Sequence, residues 1–237
     1  MSVRTDQRGE RSGAARPRYR LPVPAKSIDL EPLILRTGRT IQEKLPSEEV
    51  YYAGNIELLR NKAVSIVGTR EVSEEGARRA ARLARELTAA GVVVVSGLAK
   101  GVDTAALSST LDVGGHAAAV IGTPLQKAYP VENARLQMEI AEQHLLLSPF
   151  AEGEAVFRGN FPKRNKVMAL LSDATVIVEA SDTSGTLHQA AECIKQGRWL
   201  FILKSVLDDD KLQWPKRFIK AERTVVLTGT DDILSRI

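Results

Sequence analysis

From residue 64 onward, the sequence alternates short runs of Val, Ile and Leu with longer segments of helical periodicity. Strands that helices cover on both faces are apolar throughout, so this alternation predicts βαβ units. We therefore expect an α/β protein with an extended Rossmann-like fold, a mostly parallel central sheet of about seven strands, and helices on both faces. The predicted strands are residues 64–67, 92–95, 117–121, 145–147, 175–178, 200–203 and 224–227.

The helix after the first strand has the clearest end signals. Ser73 is a suitable N-cap, Glu74 and Glu75 suit the positive end of the helix dipole, and Gly91 is a C-terminal stop. Residues 27–62 are predicted to form an N-terminal extension, with short helices and an exposed turn at 51–55, packed on a main domain at 63–237. The other predicted helices are residues 130–143, 163–171, 186–196, 214–221 and 231–237.

Charge is distributed unevenly along the chain. The formal net charge is +4, yet residues 1–26 contain 7 basic and 2 acidic residues, and the remainder contains 26 basic and 27 acidic residues. The first segment has few apolar residues and is predicted to be a disordered basic arm. The charge that would favour a nucleic-acid partner therefore lies outside the predicted fold, and the body must bind any anion by local arrangement.

Two further features concern the compartment. No apolar run approaches the roughly 20 residues of a membrane-spanning helix, and residues 1–20 lack the apolar stretch of a secretory signal. The single cysteine, Cys193, cannot form an intramolecular disulfide, so we expect a cytoplasmic protein without membrane contact. His116, His144 and His188 have no metal-ligand spacing with Cys193, and no metal site is predicted.

Glycine and small hydroxyl residues follow several predicted strands. In a parallel sheet these positions meet at one edge, where ligands bind. Glycines at a helix N-terminus let backbone N–H groups approach a phosphate, and Arg70 and Lys100 add positive charge, so the edge is a candidate anion site. The segments are residues 68–70, 96–103, 122–124 and 179–186. The absence of G-x-G-x-x-G and G-x-x-x-x-G-K-[ST] argues against an ordinary dinucleotide enzyme and a P-loop ATPase.

The most basic cluster of the body spans residues 158–166 and precedes a helix. Its Lys and Arg side chains suit backbone phosphates, and Phe161 is either a stacking platform for a base or a core residue. The combination favours single-stranded nucleic acid over a single phosphate group.

The chain resembles the DprA/Smf DNA-processing family in six stretches that occur in the family's order. The stretches are YYAGN (51–55), SIVGTR (65–70), SGLAKGVD (96–103), YPVEN (129–133), GNFPKRNK (159–166) and VIVEASDTSGTL (176–187). The resemblance implies a protein that binds single-stranded DNA without sequence preference, forms a homodimer and delivers DNA to the RecA recombinase. It implies no catalysis and no cofactor.

Carried over by position, the resemblance also implies which residues line the DNA-phosphate pocket. Arg70, Lys100, Arg164 and Lys166 are expected to be the principal phosphate contacts. Asp103 and Glu179 are expected to organise the loops, because carboxylates facing phosphate would be repulsive. The full predicted set is Gly68, Arg70, Ser96, Gly97, Lys100, Asn160, Phe161, Arg164, Asn165, Lys166, Ser184, Gly185 and Thr186.

Family members often carry a helical N-terminal domain and a small winged-helix-like C-terminal domain. The sequence is expected to hold at most a remnant of the former and to lack the latter. Residues 204–220 also depart from the Pro-Gly loop and further motif residues of the family. We therefore expect a divergent, minimal member.

Two other classes of function remain open from the residues alone. Phosphoribohydrolases of a related fold have a glycine-threonine motif similar to residues 184–187, but Gln189 stands where they use a Glu, and an amide cannot act as a general base. Glu192 lies one helical turn further on. A sensor domain for a small signalling nucleotide would use the same phosphate-binding loops.

Overall fold

The computed structural model describes residues 19–237, in which one nine-stranded sheet carries helices on both faces. The strands are β1 (Lys26–Asp29), β2 (Glu49–Gly54), β3 (Ala63–Val67), β4 (Val93–Ser96), β5 (Ala117–Val120), β6 (Leu145–Ser148), β7 (Ala174–Ile177), β8 (Trp199–Leu203) and β9 (Thr224–Leu227). The helices are α1 (Leu30–Arg36), α2 (Glu74–Ala89), α3 (Val102–Asp112), α4 (Ala134–Gln143), α5 (Asn160–Leu170), α6 (Thr186–Lys195), α7 (Lys204–Leu207), α8 (Trp214–Phe218) and α9 (Asp231–Leu234). Short 3₁₀ turns cover Ile56–Arg60 and Val131–Asn133.

The strand order is β1-β2-β6-β5-β4-β3-β7-β8-β9. The seven strands from β3 to β9 are mutually parallel where they pair, and β1 and β2 add an antiparallel pair beyond β6. These seven correspond to the seven predicted strands, so the α/β class and the extended Rossmann-like sheet are confirmed. The number of strands is nine rather than seven.

The extra strands β1 and β2 precede the seven predicted strands, and β2 covers most of the segment where an exposed turn was predicted. Tyr51 and Tyr52 lie in β2 and are half-buried, opposite Ser148 and Leu147 of β6. The turn prediction at 51–55 was therefore wrong for residues 51–54. Gly54 ends β2 with a φ of +93°, and a Cβ there would collide with the backbone carbonyl oxygen of His144. This close approach of two backbones explains the glycine.

The helix after β3 follows its sequence signals closely. The Ser73 hydroxyl accepts a hydrogen bond from the Gly76 amide at 2.9 Å, as an N-cap does. One face of α2 is buried against the sheet through Ala80, Leu83 and Leu87. The helix thus begins where the chain leaves β3, with its N-terminal end at the carboxyl edge of the sheet.

The sheet has a switch point at β3. After β3 the chain adds β4, β5 and β6 on one side, and then returns to add β7, β8 and β9 on the other. The loops that follow neighbouring strands at such a point diverge and leave a crevice beyond the carboxyl ends. The fold therefore places a potential binding site beside the loops after β3, β4 and β7.

The predicted basic arm at 1–26 divides into two parts. Residues 1–18 lie outside the described residues, so disorder there stays a prediction. Residues 19–26 contact the domain: Leu21 and Val23 pack against a buried apolar cluster, and the Tyr19 hydroxyl accepts a hydrogen bond from Gln137 Nε2 at 3.0 Å. Among residues 19–237, no helix has the length and apolar character needed to cross a membrane.

Candidate nucleic-acid interface

Two adjoining cavities lie at the carboxyl edge of the sheet, and we call them together the edge groove. The larger has a volume of about 570 Å³ and the smaller about 310 Å³. Both are lined by Arg70, Ala99, Phe161 and Arg164, which form the wall between them. The loops after β3, β4 and β7 and the start of α5 therefore converge on one site, as the strand pattern predicts.

An arginine and an aromatic ring form the exposed part of this wall. The Arg70 guanidinium carbon lies 5.5 Å from the centroid of the Phe161 ring, a cation–π distance. The centroid of the Tyr129 ring lies 5.7 Å from the centroid of the Phe161 ring. A Cβ on Gly122 would lie 2.8 Å from the Phe161 ring, so only glycine admits the ring at this position. Phe161 is half-buried and still lines both cavities.

The larger cavity combines apolar and charged groups. Tyr129 is 44% exposed and Val131 is 62% exposed, so both present apolar surface to solvent on the cavity wall. The Lys100 ammonium pairs with the Glu132 carboxylate at 2.7 Å across the mouth. A flat, partly apolar ligand with negative charge at its edge would match these walls.

The smaller cavity is formed by the loops after β3 and β7. The Thr186 hydroxyl donates to the Gly68 carbonyl oxygen at 2.9 Å, which ties the two loops together. The Ser184 hydroxyl accepts from the Thr186 amide at 3.2 Å at the first turn of α6. Gly185 precedes that helix and has open space around it. The loops thus bring a helix N-terminus and glycine backbone to the cavity, an arrangement that favours anions.

Arg164 is buried beneath the groove. Its side chain fills the space beside Gly97, where a Cβ would collide with the guanidinium, and its Nη1 donates to the Val120 carbonyl oxygen at 2.9 Å. Burial lowers the pKa of Arg164, and the nearby Asp103 charge opposes this shift. Arg164 therefore contributes positive charge from the floor of the groove, with only 6% of the residue exposed.

Two carboxylates hold the loops, in the way the sequence predicts. The Asp103 carboxylate accepts hydrogen bonds from the Gly97 amide at 3.1 Å and the Ala99 amide at 3.2 Å. Burial raises the pKa of Asp103, while Arg164 and these hydrogen bonds oppose the rise. The Glu179 carboxylate accepts from the Ser73 amide at 3.1 Å and the Ser73 hydroxyl at 2.6 Å.

Three of the predicted site residues do not line either cavity. The Ser96 hydroxyl is buried and donates to the Ile66 carbonyl oxygen at 2.7 Å. Asn160 is buried, with its amide 3.4 Å from the Gly122 carbonyl oxygen. Lys166 lies outside both linings. The residues of the predicted set that do line the groove are Gly68, Arg70, Gly97, Lys100, Phe161, Arg164, Asn165, Ser184, Gly185 and Thr186.

Sequence reasoning also missed residues of the groove. Tyr129, Val131 and Glu132 line the larger cavity, and Gln189 lies at the back of the smaller one. The signal for the first three was present, because YPVEN is one of the stretches that carry the family resemblance. They follow β5 by several residues, so a search confined to the residues directly after each strand passes over them.

The sequence profile described as DNA recombination-mediator protein A matches residues 38–237. The chain belongs to this family. The DNA processing protein DprA of Streptococcus pneumoniae is 36% identical over 182 residues, which cover 77% of this chain and 64% of the relative. The protein Smf of Synechocystis is 38% identical over 167 residues, which cover 69% of this chain and 42% of the relative. The chain thus spans less than two thirds of the length of these two relatives.

Two solved structures of DNA processing protein A share the fold. The Streptococcus pneumoniae protein superposes with a TM-score of 0.79 and 32% identity, over 90% of this chain and 74% of that chain. The Helicobacter pylori protein superposes with a TM-score of 0.76 and 24% identity, over 91% of this chain and 96% of that chain. The latter protein binds single-stranded DNA in a mode described as unique. The extended Rossmann-like sheet is therefore common to this chain and to DprA proteins.

One buried residue of the smaller cavity, Gln189, concerns the alternative that the chain is a phosphoribohydrolase-like enzyme. It is buried behind the smaller cavity, with its amide nitrogen 3.3 Å from the Thr175 hydroxyl. Its Oε1 has no hydrogen-bond partner among residues 19–237. Glu192 pairs with Lys195 at 3.1 Å and does not line the cavity. The position that carries a general base in phosphoribohydrolases is thus a neutral amide in this chain.

Proposed function

We propose that the edge groove binds single-stranded DNA through its backbone, without preference for sequence. The observation that supports this most strongly is the convergence of Arg70, Lys100 and Arg164 with the Phe161 and Tyr129 rings in two adjoining cavities. Cations suit phosphates, and aromatic faces suit any base, so the combination is sequence-tolerant. Single-stranded DNA binding by the Helicobacter pylori protein of the same fold supports the proposal.

The charges that line the groove nearly cancel, so net charge alone does not attract DNA to it. Glu71, Asp103 and Glu132 lie among its lining residues beside the three cations. Asp103 faces the backbone amides of its own loop, and Lys100 is already paired with Glu132. Arg70, exposed at the wall between the cavities, is therefore the cation that we expect to gain most from a phosphate partner.

We infer the wider role from the family to which the chain belongs. We propose that the chain acts as a recombination mediator that protects single-stranded DNA, binds as a homodimer and passes the strand to RecA, without catalysing a reaction. A cytoplasmic location is part of this proposal.

A binding comparison tests the proposal directly. Fluorescence anisotropy with labelled single strands about 20 nucleotides long, one of thymidines and two of mixed sequence, should give affinities within about threefold of one another, because backbone contacts carry no sequence information. Competition with mononucleotides at millimolar concentration should not displace the strands. Tight mononucleotide binding without strand binding would instead favour the sensor function and contradict the proposal.

A further inference from the structure

A third cavity lies at the opposite edge of the sheet from the groove, and we call it the amino-edge cavity. Its volume is about 560 Å³, and its polar lining comes from Thr40, Gln42, Arg198, Glu222 and Arg223. Arg198 directly precedes β8 and Arg223 directly precedes β9. A strand of five residues is about 16 Å long, so this cavity and the edge groove are separated by about the length of a strand.

Within residues 19–237, Arg198 has no carboxylate as a hydrogen-bond or ion-pair partner. Only 9% of the residue is exposed, and its Nη2 donates to the Thr40 carbonyl oxygen at 2.7 Å and lies 3.4 Å from the Leu170 carbonyl oxygen. Its Nε is buried and has no hydrogen-bond partner among residues 19–237. A buried, unpaired N–H of a charged group is costly, and an anion in the cavity would offset the positive charge of the guanidinium that carries it.

The neighbouring Arg39 shows what a purely structural arginine looks like in this fold. Its guanidinium is bonded twice to the Asp173 carboxylate, at 2.6 and 3.1 Å, and also donates to the carbonyl oxygens of Leu59 and Asn61. Asp173 is thus occupied by Arg39. Burial lowers the pKa of Arg198 and the Arg39 charge lowers it further, while the Asp173 charge opposes the shift.

Arg223 supplies a second guanidinium that is already held in place. Its Nη1 donates to the Gly197 carbonyl oxygen at 2.8 Å, and its guanidinium lies 5.7 Å from the Trp199 ring centroid. The backbone at Arg223 has a φ of +57°, uncommon for a residue with a side chain. Because the side chain is fixed before any ligand arrives, little conformational entropy is lost on binding.

We propose that the amino-edge cavity binds a phosphate monoester or inorganic phosphate between Arg198 and Arg223. Guanidinium groups match the oxygens of a phosphate, and the Gln42 and Thr40 side chains add neutral polar groups to the lining. Glu222 is the one carboxylate of the lining. It is exposed, and its negative charge disfavours anion binding. The site is separate from the groove, so it stands or falls independently of the DNA-binding proposal.

The test follows the arginine Nε–H signals of the full chain by NMR during a titration with inorganic phosphate, against potassium chloride of equal ionic strength. A saturable shift of the Arg198 signal is expected. Arg223→Gln should weaken phosphate binding by about tenfold, because charge-assisted hydrogen bonds are lost. Glu222→Gln should strengthen it by about threefold, because an exposed like charge is removed. A gain of affinity separates a site from a variant that merely misfolds.

Two controls complete the design. The Arg70→Ala variant should bind phosphate at Arg198 as the unaltered chain does, and Arg223→Gln should bind single-stranded DNA that lacks a terminal phosphate with unchanged affinity. The affinity for a 5′-phosphorylated oligonucleotide is measured from the same Arg198 signal. An affinity at least tenfold higher than that for inorganic phosphate would identify a DNA terminus as the ligand, and equal affinities would identify a free phosphate. No saturable shift of Arg198, or shifts that neither variant alters, would overturn the proposal.

Discussion

Arg70 and Arg164 have the same charge and lie in the same groove, but they differ in exposure and in their contacts. Arg70 is exposed and stacks on Phe161, whereas Arg164 is buried and bonded to the Val120 carbonyl oxygen. The sequence shows a basic cluster at 158–166 but not which of its members faces inward. Helical phase decides this: Arg164 and Asn165 face the groove, and Lys166 lies outside its lining. The burial of each cation could not be predicted from the sequence alone.

Arg164→Ala is expected to act mainly on stability. The substitution leaves the buried Asp103 without its neighbouring positive charge and empties the space beside Gly97, so the free energy of unfolding should fall by about 3 kcal/mol. Urea unfolding followed by circular dichroism measures this. Arg158→Ala, at an exposed position of the same cluster, should change it by less than about 0.5 kcal/mol. Equal effects of the two substitutions would contradict the buried role.

The reactivity of the Cys193 thiol tests whether this side chain is buried. Burial raises the pKa of its thiol to about 12, and the thiol donates to the Trp199 carbonyl oxygen at 3.2 Å. The folded chain should therefore react with iodoacetamide at pH 8 far more slowly than the chain in urea. Because the thiol pKa is higher in the folded state, this group's stabilising contribution is complete below about pH 8.5 and is lost as pH rises towards 12. Rapid labelling of the folded protein would contradict its burial.

Among the elements, those with strong periodicity and end signals could be predicted. The strands β3 to β9 and the N-cap at Ser73 follow directly from apolar runs and capping residues. The strands β1 and β2 were missed because they lie at one end of the sheet and are only partly buried, so their sequences lack the apolar character of central strands. The sequence around Tyr51 and Tyr52 predicts an exposed turn, because their pairing with β6 is visible only in the structure.

Ser73→Ala tests how α2 is joined to the site. The hydroxyl both caps the helix and donates to the Glu179 carboxylate at 2.6 Å, so its loss should lower the free energy of unfolding by about 1 kcal/mol or slightly more. Thermal unfolding by calorimetry measures the change. Ser205→Ala, at an exposed position of α7, is the matched control and should have almost no effect. A neutral Ser73→Ala variant would mean that the cap does not stabilise this loop.

In the whole molecule, the excess positive charge and the groove residues belong to different parts of the sequence. The groove has three cations and three carboxylates among its lining residues, whereas residues 1–26 hold 7 basic and 2 acidic residues. The position of the site at the carboxyl edge could be predicted from the parallel sheet alone. The Tyr129 side of the larger cavity could not, since it depends on how the segment between β5 and α4 folds back over the edge.

Removal of residues 1–18 should separate the contribution of the N-terminal segment to DNA binding from that of the groove. The shortened chain keeps Tyr19, Leu21 and Val23, so its midpoint of thermal unfolding should be unchanged. Its affinity for single-stranded DNA should fall equally for all sequences and most strongly at low salt, because exposed charges are screened by salt. Complete loss of binding would show that the strand is held by the arm rather than by the groove.

The salt dependence of binding measures whether the edge groove holds the phosphates of single-stranded DNA. For Arg70→Ala, the slope of log affinity against log salt concentration should become shallower by about 0.7, the value for one phosphate contact on a single strand. Arg82→Ala, which removes a surface arginine of α2 paired with Glu86 at 2.7 Å, should leave both affinity and slope unchanged. An Arg70→Ala variant with the same affinity and slope as Arg82→Ala would contradict the claim.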